Sequence, residues 1–335
     1  MNKLLELKTE ILGFIEKNEP YVKPAAKLVL MLAAYLMIYF NVGFYSKIHI
    51  IFIPMILAVL CAVLPLSLGV VIMGLYILLN LYGLGLEVTM VGAAVLLLCY
   101  LLYFRFAPKQ TYLFVLSPIL WCLRIPYVAP VVLGLTGTPL TSVSVLMGTV
   151  AFYFLKGVKA NKAVFLATDG AGATSKLTVA LNQLVGNKEM WIVLVAFFLT
   201  SAAVYVIRRK SIRNAWRVAI YAGIIMQLVI ILCGKLLIGN TTGIVGLILG
   251  SVISMGLAIV AEFFLFNLDY TRVERVQFED DFYYYYVKAV PKVLVSAKEK
   301  KVTTFGKNAS GASKKDEEAK EQIAKELDID PELLK

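Results

Sequence analysis

Histidine, paired cysteines and charge are scarce in this chain, and each scarcity closes off a chemistry. A single histidine, His49, stands in 335 residues, too few for a histidine-built metal site. Cys61, Cys99, Cys122 and Cys233 form no Cys-x-x-Cys pair, and all lie in apolar stretches, where a thiol acts as a small hydrophobe. No metal and no cofactor is therefore expected. The sequence has no His-Glu-x-x-His helix and no loop ending in Gly-Lys-Ser/Thr, so metalloprotease chemistry and ATP hydrolysis are not expected either. The stretch Asp169-Gly-Ala-Gly-Ala-Thr-Ser175 has the glycines of a phosphate loop without its ending, and reads as a turn into an amphipathic helix over 176–185. With no paired carboxylates or triad to assign, the expectation is that this is not an enzyme.

Charged residues make up 16% of the chain and hydrophobic ones 60%. A soluble domain carries about 25% charged residues. The apolar residues come in blocks near the length of about 20 residues that crosses a bilayer as a helix. They are apolar all round, which suits burial or lipid contact, and they lack the two-residue alternation of a membrane barrel. The fold class this predicts is an all-α polytopic membrane protein with eight full transmembrane helices, one broken or re-entrant pair, and a small cytoplasmic β-hairpin and helical tail.

Along the chain, residues 1–24 read as an amphipathic cytoplasmic helix with no cleavable leader, and 25–267 as the transmembrane domain. Full spans are expected near 25–44, 50–66, 68–86, 88–104, 140–156, 191–207, 217–238 and 243–267. Between the fourth and fifth, 110–139 is apolar but interrupted by Pro118, Pro126, Pro130, Gly134, Gly137 and Pro139. It reads as a re-entrant hairpin or two short crossings. Residues 268–295 read as a cytoplasmic β-hairpin around Glu279-Asp280-Asp281, with a four-tyrosine run at Tyr283–Tyr286. Residues 296–335 read as a flexible linker and a charged C-terminal helix.

The formal net charge of +11 does not point to nucleic acid, because its distribution is that of a topology signal. Arg208, Arg209, Lys210, Arg213 and Arg217 cluster beside a span, whereas the tail from Leu268 has 13 basic and 14 acidic residues. Placing that basic cluster in the cytoplasm puts both termini there and makes 157–190 an extracytoplasmic loop. The competing arrangement inverts those two segments.

Arg124 is the leading substrate-path candidate. A charge at membrane depth is costly and faces a cavity or a partner, or else snorkels to headgroups. Broken helices at that depth line solute paths, because their freed backbone groups need polar company. Thr136 and Thr138 are expected beside Arg124, so the solute is expected to be small and anionic. Gln227, in mid-span, reads as an interhelical hydrogen bond or a ligand contact. Gly246, Gly250, Ser254 and Ala258 recur every four residues, a small-residue stripe for close helix packing within the chain or in a homo-oligomer.

The segments Val276–Pro291 (VQFEDDFYYYYVKAVP) and Ile207–Trp216 (IRRKSIRNAW) resemble uncharacterised polytopic membrane proteins of anaerobic Gram-positive bacteria, some labelled transporter permease. The Pro- and Gly-rich stretch Val128–Phe154 is similar to substrate-binding membrane components of vitamin uptake systems. The resemblance implies a bacterial cytoplasmic membrane location. The function expected is a membrane permease component, with the bilayer and other membrane or cytoplasmic subunits as partners. The alternative is a scaffold or assembly subunit presenting its tail, with no solute path.

With Gly170→Cys or Ile212→Cys placed singly in a cysteine-free background, an impermeant maleimide applied to intact cells is expected to label position 170 and spare 212. The reverse pattern would invert the topology.

Overall fold

Proline and glycine decide where the apolar stretches break into helices. The computed structural model describes residues 2–166, 173–210, 214–240, 242–265, 274–279 and 284–289. Helix α1 (Asn2–Lys17) stops at Asn18, and α2 (Glu19–Val42) begins at once, so the expected helix 1–24 is divided and its last turn belongs to the first span. Glu19 pairs with Lys23 one turn on.

Six helices among the described residues, not eight, are long and apolar enough to cross a membrane: Glu19–Val42, Leu86–Phe106, Pro139–Ala160, Lys176–Arg208, Ala215–Ile238 and Ile244–Leu265. The expected spans at 50–66 and 68–86 become two shorter helices, α3 (Phe52–Val63) and α4 (Leu66–Tyr82). At 1.5 Å per residue these reach roughly 18 and 25 Å, short of the ~30 Å hydrocarbon core. The cause is local. Pro65 disfavours a helical residue before it, and Leu64 is extended, with ψ at 157°. Ile56, Val59 and Val63 of α3 are exposed, as a lipid-facing helix would leave them.

After α5 (Leu86–Phe106) comes the broken segment, α6 (Thr111–Cys122) and α7 (Val128–Thr136), and then α8 (Val143–Ala160). The expected loop 157–190 contains α9 (Lys162–Leu166) and α10 (Ala173–Val185), and α10 packs on α5 and α8. The phosphate-loop-like residues fall largely outside the described ones. The chain then runs through α11 (Lys188–Arg208), α12 (Ala215–Ile238) and α13 (Ile244–Leu265).

The helices build two hydrophobic cores rather than one. The first joins α2, α4 and α5 around Tyr35, Val70 and Cys99. The second joins α7, α11, α12 and α13 around Val131, Ala196 and Ile220. Helices α6 and α8 contribute to both and lock to each other. Ser117 Oγ donates to the Val145 carbonyl at 3.2 Å, and Trp121 Nε1 donates to Thr149 Oγ1 at 3.3 Å. A side chain at Gly148 would lie 2.7 Å from the Phe114 carbonyl oxygen, so these two backbones touch.

A separate unit, 269–335, contributes two described strands, β1 (Glu274–Glu279) and β2 (Tyr284–Ala289). They pair antiparallel with Glu274 opposite Ala289 and Glu279 opposite Tyr284. The expected linker and helix at 296–335 lie outside the described residues.

The small-residue stripe of α13 is used inside the chain. Gly250, Ser254 and Ala258 are buried, and α13 packs on α7 and α12. A Cβ at Gly250 would meet the Arg124 carbonyl oxygen at 2.8 Å, whereas one at Gly246 would meet nothing within 4 Å. Gly250→Val is therefore expected to lower stability by about 1–3 kcal/mol. Gly246→Val should be near neutral, with both read from unfolding in detergent. Equal effects would return the stripe to an intermolecular role.

Candidate anion cavity

The site forms where the broken helix pair turns. Helix α6 ends with Arg124 N–H bonded to the Trp121 carbonyl at 3.2 Å and Ile125 N–H to the Leu120 carbonyl at 3.0 Å. This 6→1 and 5→2 pattern puts the capping residue in the left-handed region, where glycine is usual. Here it is Arg124, with φ at 62°. An L-residue in that conformation costs roughly 1–2 kcal/mol. The surroundings hold the turn in place: the Arg124 carbonyl lies against Gly250, and Gln227 Nε2 donates to the Tyr127 carbonyl at 3.1 Å.

Both arms of the pair open at one end of the bundle. The turn meets α13 at its seventh residue and α12 near its middle; Leu123 and Arg124 are exposed there, whereas Pro126 and Tyr127 are buried.

Between the two cores, at this turn, lies a cavity of about 740 Å³. Its body is apolar, built by residues such as Ile38, Ile77, Phe114, Ile119 and Phe152. Trp121 stacks on Phe152 with centroids 5.4 Å apart. Arg124, Lys156 and Lys159 also line the cavity, and no carboxylate does. Lys159 Nζ donates to Asn41 Oδ1 at 3.1 Å, and Lys156 Nζ stands 5.7 Å from the Tyr153 ring centroid. Among the described residues, the Arg124 guanidinium makes no hydrogen bond or ion pair. Glu189 lines an adjoining cavity of about 120 Å³, which Lys156 also borders; it lies 3.8 Å from Lys235 and accepts a hydrogen bond from Asn240.

The expected companions of Arg124 are elsewhere. Thr136 and Thr138 line a second cavity, of about 600 Å³, at the far end of α7 with Lys109, Arg208 and Arg209. Thr136 Oγ1 is already bonded to the Val132 carbonyl at 3.0 Å. Gln227 is fully buried and holds the turn, while its Oε1 has no partner.

Arg208, expected only as a topology signal, caps α7. Its guanidinium donates to the Leu135 carbonyl and, at 2.9 Å, to the Gly137 carbonyl. A nine-residue helix ending among other helices leaves carbonyls without partners, and a cation there also suits the negative end of the helix dipole. Arg209 Nη1 donates to Tyr205 Oη at 2.7 Å, Arg217 lies 3.6 Å from Glu262, and Lys210 is exposed. Arg213 is outside the described residues.

Sequence reasoning passed over Lys156 and Lys159 as site residues. Their spacing at the end of one helix was visible, but their convergence with Arg124 depends on how α6 packs on α8.

Comparison with family models, curated proteins and solved structures found no match.

Arg208→Ala is expected to cost roughly 1.5–3 kcal/mol, the worth of charge-assisted hydrogen bonds. Arg209→Ala, at an exposed pair, should cost less than about 0.5 kcal/mol. Unfolding of the purified variants in detergent checks both.

Proposed function

We propose that this chain is a permease-like membrane component whose cavity at the hairpin turn holds an anionic solute on its path. The observation that carries the reading is Arg124. It occupies a glycine-type backbone position at a cost of roughly 1–2 kcal/mol, and its unpaired guanidinium belongs to a residue that lines, with Lys156 and Lys159, a cavity without carboxylates. Strained backbone concentrates at functional sites. An unpaired charge next to apolar walls attracts a counter-ion more strongly than it would in water.

The topology that goes with this reading has both termini in the cytoplasm of a bacterial cell and the cavity rim toward the outside. Two sets of contacts support it. Lys159 with Asn41, Lys162 over Phe44, and Lys235 with Glu189 join the ends of α2, α8, α11 and α12. Lys109, Arg208 and Arg209 gather at the opposite end. That second set belongs to the stronger basic cluster, which favours the cytoplasmic side. The scaffold alternative is supported by the separate unit 269–335, which could serve a partner subunit without any solute path.

Proteoliposome uptake across a panel of labelled phosphates and carboxylates tests the choice. Arg124→Gly should abolish uptake of the transported anion while its melting temperature stays at or above that of the parent, because glycine accepts a φ of 62° freely. Full uptake by Arg124→Gly would reject the site. No uptake of any anion by the parent chain would favour the scaffold.

A further inference from the structure

We infer that the ligand of this cavity is a phosphate-headed membrane amphiphile that enters sideways from the bilayer between α2 and α13. The inference rests on the reading of the cavity as an anion site and names the anion's class.

The cavity is too large and too apolar for a small anion alone. A space of about 740 Å³ falls within the range of roughly 300–1,000 Å³ that encloses one organic ligand. A small hydrated anion could use the three cations but would leave the apolar body filled only with water. A water there needs two to four polar partners. The wall gives few: the Tyr100 hydroxyl already donates to the Val70 carbonyl at 2.9 Å, and Trp121 Nε1 to Thr149. A hydrocarbon tail fills that space without leaving hydrogen bonds unmade.

Charge points the same way. Three cations and no carboxylate line this cavity, and a phosphate head offers more acceptor oxygens and more charge than a carboxylate. Arg124 suits this role because its guanidinium presents a planar donor fork.

As for the route, helices α2 and α13 both line the cavity and make little or no contact with each other. On the α13 side the lining is Gly243, Gly246 and Leu247, and the space at Gly246 is open. The flanking surfaces carry Phe40 and Val245, both mostly exposed and apolar, as a lipid-facing cleft requires. At the other end of α13, Lys8 of α1 stands over the Phe263 ring at 5.3 Å. The side entrance therefore lies on the half of α13 nearest the cationic rim.

Fluorescence of Trp121 reports on the cavity directly, in a Trp191→Phe/Trp216→Phe background. The protein is placed in phosphatidylcholine nanodiscs containing a fraction of phosphatidic acid with brominated tails, or the same fraction of brominated phosphatidylcholine. Phosphatidic acid is expected to quench Trp121 several-fold more, and dodecyl phosphate added from water to reverse the quenching where inorganic phosphate does not. Arg124→Gly and Gly246→Phe should each weaken the phosphatidic acid effect about tenfold, the first by removing the head's partner and the second by filling the entrance. Glycine accepts the backbone angle of Arg124, and a Cβ at Gly246 meets nothing within 4 Å; the melting temperature of each variant in detergent checks that it folds.

Equal quenching by the two lipids would overturn the phosphate head. Displacement by inorganic phosphate as readily as by dodecyl phosphate would overturn the amphiphile and leave the anion cavity standing. If Gly246→Phe is silent while dodecyl phosphate binds, the ligand comes from water and the side entrance is wrong. If neither lipid nor either phosphate affects Trp121, this inference falls, and the anion-cavity reading stands or falls on the carboxylates of the uptake panel.

Discussion

A backbone turn packed against apolar helices must have its buried carbonyls and amides satisfied locally, and the rest of this architecture depends on how 123–127 meets that demand. Each bond left unmade away from water costs several kcal/mol. The Leu123, Arg124 and Ile125 amides bond back to carbonyls of α6, and Gln227 reaches from α12 to the Tyr127 carbonyl. Gly250 lets α13 pack close to the turn, and at the far end of α7 Arg208 of α11 caps the short return helix. Every helix of the second core thus contributes one support to the broken pair. That is why α11, α12 and α13 pack together around α7 instead of forming a bundle of their own.

The cavity follows from the same arrangement. Helices α6 and α8 contribute to both cores, and neither core fills the space at the turn of the broken pair. A full-length helix in place of the pair would have closed it. The close contact at Gly148 and the Ser117–Thr149 bonds keep α6 fixed on α8, so the rim lysines of α8 and the turn of α6 hold one geometry. Polar bonds between helices are modest in energy in a membrane, but they set register. Here register decides which charges meet.

Charge is distributed between two ends with different jobs. At one end Arg208 and Arg217 are engaged by carbonyls or a carboxylate, and they stabilise the fold. At the other, Arg124 and Lys156 line a largely apolar cavity without an ion pair, although Lys156 also borders the small cavity that holds Glu189. Cations of similar chemistry thus divide by their neighbours into those engaged by the fold and those left at a cavity wall.

Composition and block length were enough to read a polytopic helical membrane chain, because the apolar content and the bilayer's thickness are one-dimensional quantities. The broken pair was equally visible, since Pro118, Pro126 and Gly137 sit where helices of full length would need unbroken runs. Span count was less legible: apolar residues continue through Leu64 and Pro65, so hydropathy runs on while the backbone stops. Arg124 stood out as a charge in an apolar stretch, but its companions did not. Thr136 and Thr138 are near it in sequence and a helix length away in space, whereas Lys156 and Lys159 are distant in sequence and line the same cavity. Sequence alone determined what each segment could bury. Only the tertiary structure decided which segments share a wall, because that depends on where backbones can approach, at Gly148 and Gly250, and on which buried carbonyls need a donor.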